Sequence, residues 1–321
     1  MGTLTVDLWF PCPYVPQATG CNDWQERTNQ MVSAILEEAK NQSCEALGIL
    51  FNAVSGENPQ WTDNAIAVIA FGDRFYLDVP DDKLPRCPVL AITSGKLKSN
   101  WFRWYYSARL IGFTLARMIV RSENYAGTVL LWMESHLGRC VAEEFSRFGL
   151  DDAICFPDTA TTDDLENLID KIVSCTKQHR VKTFAIVGYG DAYEYILNSF
   201  SKNDDLRHCR LLTDPNFTVF QGSANVKTAE CVTGLYRENQ NVFETFCRRA
   251  VSLICNYSKT NNGGRLTFGN YLLSLRFHKL DDIGIVNFRE DGELFLPLRL
   301  YFDGFSKKVE AREIVESNHP E

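Results

Sequence analysis

Apolar positions along the chain fall into short unbroken runs separated by stretches with helical spacing. The runs stand at 65–70 (Ala-Ile-Ala-Val-Ile-Ala), 89–92 (Val-Leu-Ala-Ile), 128–133 and 184–188. An unbroken apolar run of this length reads as a strand covered on both faces. Between them, 24–40, 105–121, 137–148 and 165–178 repeat apolar residues every three or four positions, as Met31, Ile35 and Ala39 do. That spacing puts them on one face of a helix. Asp23 with Glu26 three residues on predicts a capped helix start, and Thr161-Thr162-Asp163-Asp164 predicts another. Alternating residues at 4–10 predict a first strand, and 46–51, 153–156 and 210–213 predict further strands. Helices follow at 239–256 and 266–275. Two last strands, 284–288 and 294–301, flank Arg289-Glu290-Asp291-Gly292-Glu293, and an Asp-Gly pair between strands predicts a hairpin.

Strands alternating with helices predict an α/β fold with parallel sheets. The rhythm breaks at 93–104, where Thr93-Ser94-Gly95-Lys96 is followed by Trp101-Phe102-Arg103-Trp104. This segment reads as a hinge between two Rossmann-like lobes. Further crossovers are expected at 221–234 and 264–280. Lobe one would then hold 1–98 and 235–321, and lobe two 99–234. The aromatic cluster at 101–106 either lines a cleft between the lobes or packs the hinge.

Composition narrows the function classes. A net charge of −8 argues against nucleic acid as the main partner. No apolar run approaches the roughly 20 residues of a membrane helix. Met1-Gly2-Thr3 leads directly into a strand, so no signal peptide is visible, and an extracellular chain would have lost its leader. Eleven cysteines are many for a cytosolic protein and few for a disulfide scaffold. Cys12 and Cys21 bracket a short proline-rich loop and are the expected disulfide. Cys44, Cys175, Cys247 and Cys255 read as small apolar core residues. Glycosylation sequons stand at Asn41, Asn216 and Asn256.

Gly188-Tyr189-Gly190-Asp191-Ala192-Tyr193 begins like a dinucleotide fingerprint, but Tyr193 replaces the third glycine. There is no phosphate loop, no His-Glu-x-x-His, no Cys-x-x-Cys and no Gly-x-Ser-x-Gly. No cofactor and no metal are therefore expected. In α/β sheets ligands gather beyond the carboxyl ends of strands. Ser94, Arg103, Glu134, His136, Tyr189 and Asp191 occupy such places and are the candidate ligand-binding residues. Arg103 either pairs with an acidic ligand group or caps a helix end. His136 is either a ligand contact or a solvated loop histidine.

The order of these segments resembles the ligand-binding region of the atrial-natriuretic-factor-receptor type, within the type I periplasmic-binding-protein fold. Four stretches carry the likeness: Ala65 to Ala70 followed by Cys87-Pro88-Val89-Leu90-Ala91-Ile92-Thr93-Ser94; Phe102-Arg103, a helix and the run 127–133; the strand at 181–187; and Leu275-Arg276-Phe277, Gly284-Ile285-Val286-Asn287-Phe288 and Asp291-Gly292-Glu293. A Tyr-Gly usual after a lobe-two strand is here Glu134-Ser135-His136. The resemblance implies two lobes, three crossovers, extracellular or cell-surface capture of a small polar ligand or peptide in an interlobe cleft, a response by hinge closure, no catalysis, and dimers through lobe one. Two competing readings stand beside it. One is a cytosolic α/β enzyme using Asp73, His136 and Asp191. The other is a degenerate dimerising scaffold.

Overall fold

The computed structural model describes residues 3–10, 23–55, 59–72, 79–121, 127–157, 160–179, 181–219, 229–233, 241–261, 266–275, 278–280, 284–295, 298–302 and 314–315. In chain order the elements are β1 (Leu4–Phe10), α1 (Asp23–Asn41), β2 (Ile49–Ser55), β3 (Ala65–Phe71), β4 (Val89–Ile92), β5 (Trp101–Arg103) and α2 (Ala108–Arg121). Next come β6 (Thr128–Met133), α3 (His136–Arg147), β7 (Ala153–Phe156), α4 (Thr162–His179), β8 (Thr183–Val187), α5 (Gly190–Lys202), β9 (Arg210–Thr213) and β10 (Ala229–Thr233). The last are α6 (Val242–Thr260), α7 (Phe268–Ser274), β11 (His278–Leu280), β12 (Gly284–Phe288), β13 (Leu294–Phe295), β14 (Leu298–Phe302) and β15 (Ile314–Val315). No described helix is long and apolar enough to cross a membrane.

The chain divides into two compact units. Unit 1 comprises Met1–Ser107 and Phe243–Leu296, and unit 2 comprises Ala108–Val242 and Pro297–Glu321. Leu50 and Val68 therefore belong to one sheet, and Leu130 and Ile186 to another.

Among the described residues of unit 1, the strands lie in the order β2-β1-β3-β4-β5, all parallel. The apolar runs become central strands because both their faces are covered. Val68, Ile69, Ala70, Val89, Leu90 and Ala91 have no measurable exposure. Alternate residues share a face, so Trp9, Val68, Ala70, Val89, Ala91 and Trp101 form one cluster. Burying each large aliphatic side chain is worth about 1.5–3 kcal/mol. A small antiparallel sheet, β11-β12-β13, completes the unit. Its Asp-Gly turn forms as expected. Gly292 has φ +82°, and a Cβ there would lie 2.1 Å from the Trp101 carbonyl oxygen. No side chain fits, so the turn can sit against β5 only with glycine.

Unit 2 repeats the same order. Its strands run β7-β6-β8-β9-β10 in parallel, continued by the antiparallel β14 and β15. Phe184, Ile186, Tyr193, Ile196, Phe200 and Leu211 anchor its core.

Several boundaries differ from the sequence reading, each for a tertiary reason. The stretch 93–104 is no free hinge, because Trp101–Arg103 adds to β4 as a parallel strand. The helix expected from 105 starts at Ala108, and the aromatics before it are core. Trp104 stacks on Phe288, Tyr105 on Phe243, and Tyr106 meets Phe246 edge-on. The strand expected at 46–51 is delayed to Ile49 because Glu45–Leu47 makes a 3-10 turn ended by Gly48. Part of the crossover expected at 221–234 is strand β10. The run 294–301 is split: Leu294–Phe295 pairs with β12, whereas Leu298–Phe302 pairs with β10 of unit 2. The segment 235–321 is therefore not all in lobe one.

Candidate functional site

The shared strand order 2-1-3-4-5 reverses direction between its first and third strands. Ligands of open α/β sheets bind beyond the carboxyl ends at that switch point. In unit 1 the segments following β1 and β3 lie outside the described residues, and Asp73 with them. The ends of β4 and β5 are described, and they carry Ser94 and Arg103.

Arg103 is buried, and its guanidinium is committed to its own unit. Nε and Nη2 donate to the two Glu293 carboxylate oxygens at 2.6 and 2.9 Å. Nη1 donates to the Thr93 and Gly95 carbonyls at 2.9 and 2.7 Å. Its backbone N–H donates to the Gly292 carbonyl at 2.9 Å. A planar fork suits this bracket, with a carboxylate on one side and two carbonyls on the other. Arg103 therefore fixes the end of β4 against the β12–β13 turn, which corrects its reading as a ligand contact. Ser94 is buried in the loop that this bracket shapes. The Thr93 hydroxyl accepts from the Gly95 N–H at 2.9 Å and tightens the same loop. The aromatics at 101–106 are buried in unit 1, which answers the cleft-or-core question for them.

Unit 2 presents its switch point in full. β6 and β8 are hydrogen-bonded neighbours, with Trp132 opposite Val187. Their ends therefore bring Glu134-Ser135-His136 beside Gly188-Tyr189-Gly190-Asp191. Four of the expected site residues meet here, while Ser94 and Arg103 belong to unit 1. Ser135 caps α3, its hydroxyl accepting from the Gly138 N–H at 3.1 Å. A Cβ at Gly138 would lie 2.1 Å from the Met133 carbonyl oxygen, so glycine lets α3 start hard against the strand end. Glu134, His136 and Asp191 are exposed, and Tyr189 is half-buried against the core. The Cys140 thiol lies 3.6 Å from His136 Nε2, one turn along α3. Asp191 sits in the first turn of α5, where the helix dipole favours a carboxylate.

Beneath this surface lies a residue that sequence reasoning missed. Asp214 follows β9 and is fully buried. Its carboxylate accepts from the Gly188 N–H (3.2 Å), the Tyr193 hydroxyl (3.1 Å) and the Asn216 amide (3.0 Å). Burial pushes its carboxyl up to about 7 against those donors. The knot holds the β8 end that carries Tyr189 and Asp191. An acidic residue at the end of a short apolar strand was the available signal, and a sequon two residues on obscured it.

Asn216 is no glycosylation site in this fold. It is buried, and its amide also donates to the Gly188 carbonyl at 3.0 Å. Asn41 is exposed at the end of α1, and Asn256 is half-buried within α6. Cys12 and Cys21 lie outside the described residues. Among the described residues no cluster of acidic, histidine and cysteine side chains could hold a metal ion. A depression of about 620 Å³, lined by Trp61, Lys83, Arg86 and Cys87 among others, borders the amino ends of β3 and β4. It lies at the wrong end of the strands for the binding geometry of this class of sheet.

No protein-family model matches the sequence, and no curated protein matches it. Solved structures do. A branched-chain amino acid ABC transporter protein from Thermus thermophilus with bound valine is 15% identical, with a TM-score of 0.71 over 99% of this chain and 98% of that one. The branched-chain amino acid transporter substrate-binding protein LivJ from Streptococcus pneumoniae, in complex with isoleucine, is 13% identical, with a TM-score of 0.69 over 98% and 99%. An ABC transporter solute-binding protein from R. palustris in complex with benzoate is 12% identical, with a TM-score of 0.69 over 98% and 96%. The fold of this chain is that of the type I periplasmic binding proteins.

Proposed function

We propose that the chain is a non-enzymatic capture module that takes a small polar ligand, using the carboxyl ends of β6 and β8. The observation that carries this reading is the switch point of unit 2. There Glu134, His136 and Asp191 are exposed around the half-buried Tyr189, on strand ends held by the Asp214 knot. Glu134 and Asp191 put two exposed carboxylates on this surface. A ligand with an ammonium or other cationic donor fits it, and the Tyr189 ring offers an apolar or cation–π face. An amino acid or a small amine satisfies both. The similar solved structures, bound to valine, isoleucine and benzoate, support a ligand of this size.

On this reading the module works outside the cytosol, as a periplasmic or cell-surface receptor component, with Asn41 as its exposed glycan acceptor. Unit 1 supports a homodimer, because the edge strand β2 leaves Leu50 51% exposed.

The test is a thermal-shift and calorimetric screen of free amino acids, primary amines and benzoate. Ligand at 100 times its Kd should stabilise the chain by about 2.7 kcal/mol. Glu134→Gln and Asp191→Asn should each weaken the best ammonium ligand about tenfold or more. The reading fails if no member of the panel binds, or if binding ignores both substitutions.

A further inference from the structure

Two buried thiols of unit 1 come from distant parts of the chain and meet. Cys44 lies just beyond α1 and starts the 3-10 turn Glu45–Leu47. Its N–H donates to the Ala39 carbonyl at 2.9 Å, and its carbonyl accepts from the Ile49 N–H at 2.9 Å, so its backbone is fixed. Cys255 lies in α6. The two side chains are buried, and their sulphur atoms are 2.7 Å apart. Even non-bonded carbon atoms rest at about 3.5–4.0 Å.

A second contact ties the same two parts of the chain together. Arg248 Nη2, on α6, lies 2.7 Å from Glu37 Oε2, on α1. Arg248 precedes Cys255 by seven positions, about two turns of α6, and Glu37 precedes Cys44 by seven positions that cross the end of α1 at Asn41. The ion pair joins α1 to α6, and the thiol pair joins the turn just after α1 to α6. Cys247, also buried on α6, is eight positions from Cys255, about 12 Å along the axis, and is not a rival partner.

We propose that Cys44 and Cys255 form a disulfide that staples the two sequence-distant halves of unit 1. The bond closes a loop spanning 211 positions. That loop contains the whole 108–242 segment of unit 2. The oxidant is a low-molecular-weight disulfide such as oxidised glutathione. The Cys44 thiolate attacks it, forming a mixed disulfide and releasing one thiol. The Cys255 thiolate then attacks the Cys44 sulphur and releases the second thiol. Two electrons and two protons pass from the pair to the reagent. The Cys255 thiol, hydrogen-bonded to the Cys44 sulphur, draws the Cys44 thiol below its usual range, which suits Cys44 to the first attack. The staple does not depend on any ligand.

Full-length chain is refolded in a glutathione redox buffer, alkylated and digested with trypsin without reduction. Cleavage after Lys40, Arg74, Arg249 and Lys259 gives peptides 41–74 and 250–259, each with one cysteine. The expected product is these two peptides cross-linked, released by reductant. Recovery of both as alkylated thiols, or of either linked to another cysteine, overturns the proposal. In parallel, reductant should lower the unfolding midpoint of the refolded wild type by roughly 5–10 °C. It should shift a Cys44→Ala/Cys255→Ala double variant clearly less than wild type. Equal sensitivity in both proteins overturns the staple as the origin of the shift.

Discussion

The two units share a strand order yet treat charge at their strand ends in opposite ways. In unit 1 the charged group at the end of β5, Arg103, is inside and answered by Glu293. In unit 2 the charged groups at the ends of β6 and β8 face solvent, and the buried carboxyl that follows β9, Asp214, is answered by neutral donors. One corner is closed by an ion pair. The other is held from below and left open above. Equivalent topology therefore fixes where polar residues collect, while the partners available to each residue decide whether it is built into the fold or left facing solvent.

The largest effect should come from breaking the closed corner. Arg103→Ala takes the guanidinium away from Glu293 and from the Thr93 and Gly95 carbonyls. Denaturant unfolding should show unit 1 losing about 3–5 kcal/mol. Arg103→Lys should recover only a small part, because a point charge cannot bridge both partners.

Next comes the knot under the open corner. The Asp214 carboxyl is held at about 7 when folded and lies near 3.8 in its ordinary state. Between those values the folded chain binds the proton and the unfolded chain does not. Stability from this group is thus full below about pH 4 and falls as pH rises towards 7. The loss should be on the order of 2–4 kcal/mol. Asp214→Asn mimics the neutral acid, its oxygen facing Gly188 and Asn216 and its amide facing Tyr193. The difference between wild-type and variant unfolding curves from pH 4 to 7 should isolate this slope. A difference that does not change with pH would show that Asp214 does not titrate there.

Gly292→Ala tests the close approach on which the Arg103 corner rests. With φ +82° and the Trp101 carbonyl in the way, it should cost about 1–3 kcal/mol in thermal unfolding. The smallest effects belong to the open surface. Glu134→Gln, His136→Ala and Asp191→Asn should each stay within about 0.5 kcal/mol of wild type. A larger change from any of them would mean that the open corner is also structural.

What could be read from the sequence follows the same physics. Val68 to Ala70 and Val89 to Ile92 announce themselves because a strand buried on both faces has to be apolar throughout. Trp101–Arg103 does not, because a three-residue strand is defined by the neighbour it pairs with. The run that begins at Leu294 reads as one strand, but its two parts join different sheets, and no local pattern records the partner. A rule about strand ends proposed Glu134, His136, Tyr189 and Asp191, and the pairing of β6 with β8 places them at neighbouring ends. The same rule placed Arg103 in a binding role, because it cannot see Glu293, 190 positions away. The Asn216 sequon carries no information about burial. Asp214 takes its meaning from Gly188 and Tyr193, more than twenty positions earlier.

The discontinuity of unit 1 also sets a timetable for synthesis. At about 5–20 residues per second, the 211 positions between Cys44 and Cys255 take roughly 10–40 s to emerge. Throughout that interval the first half of unit 1 waits without α6, while the parallel strands of unit 2 are made in sequence behind it. The nascent chain thus carries all five strands of the unit 1 sheet without α6, and Cys44 without Cys255, while the intervening segment is made. Only when the second half of unit 1 arrives, followed by β14, can either unit close.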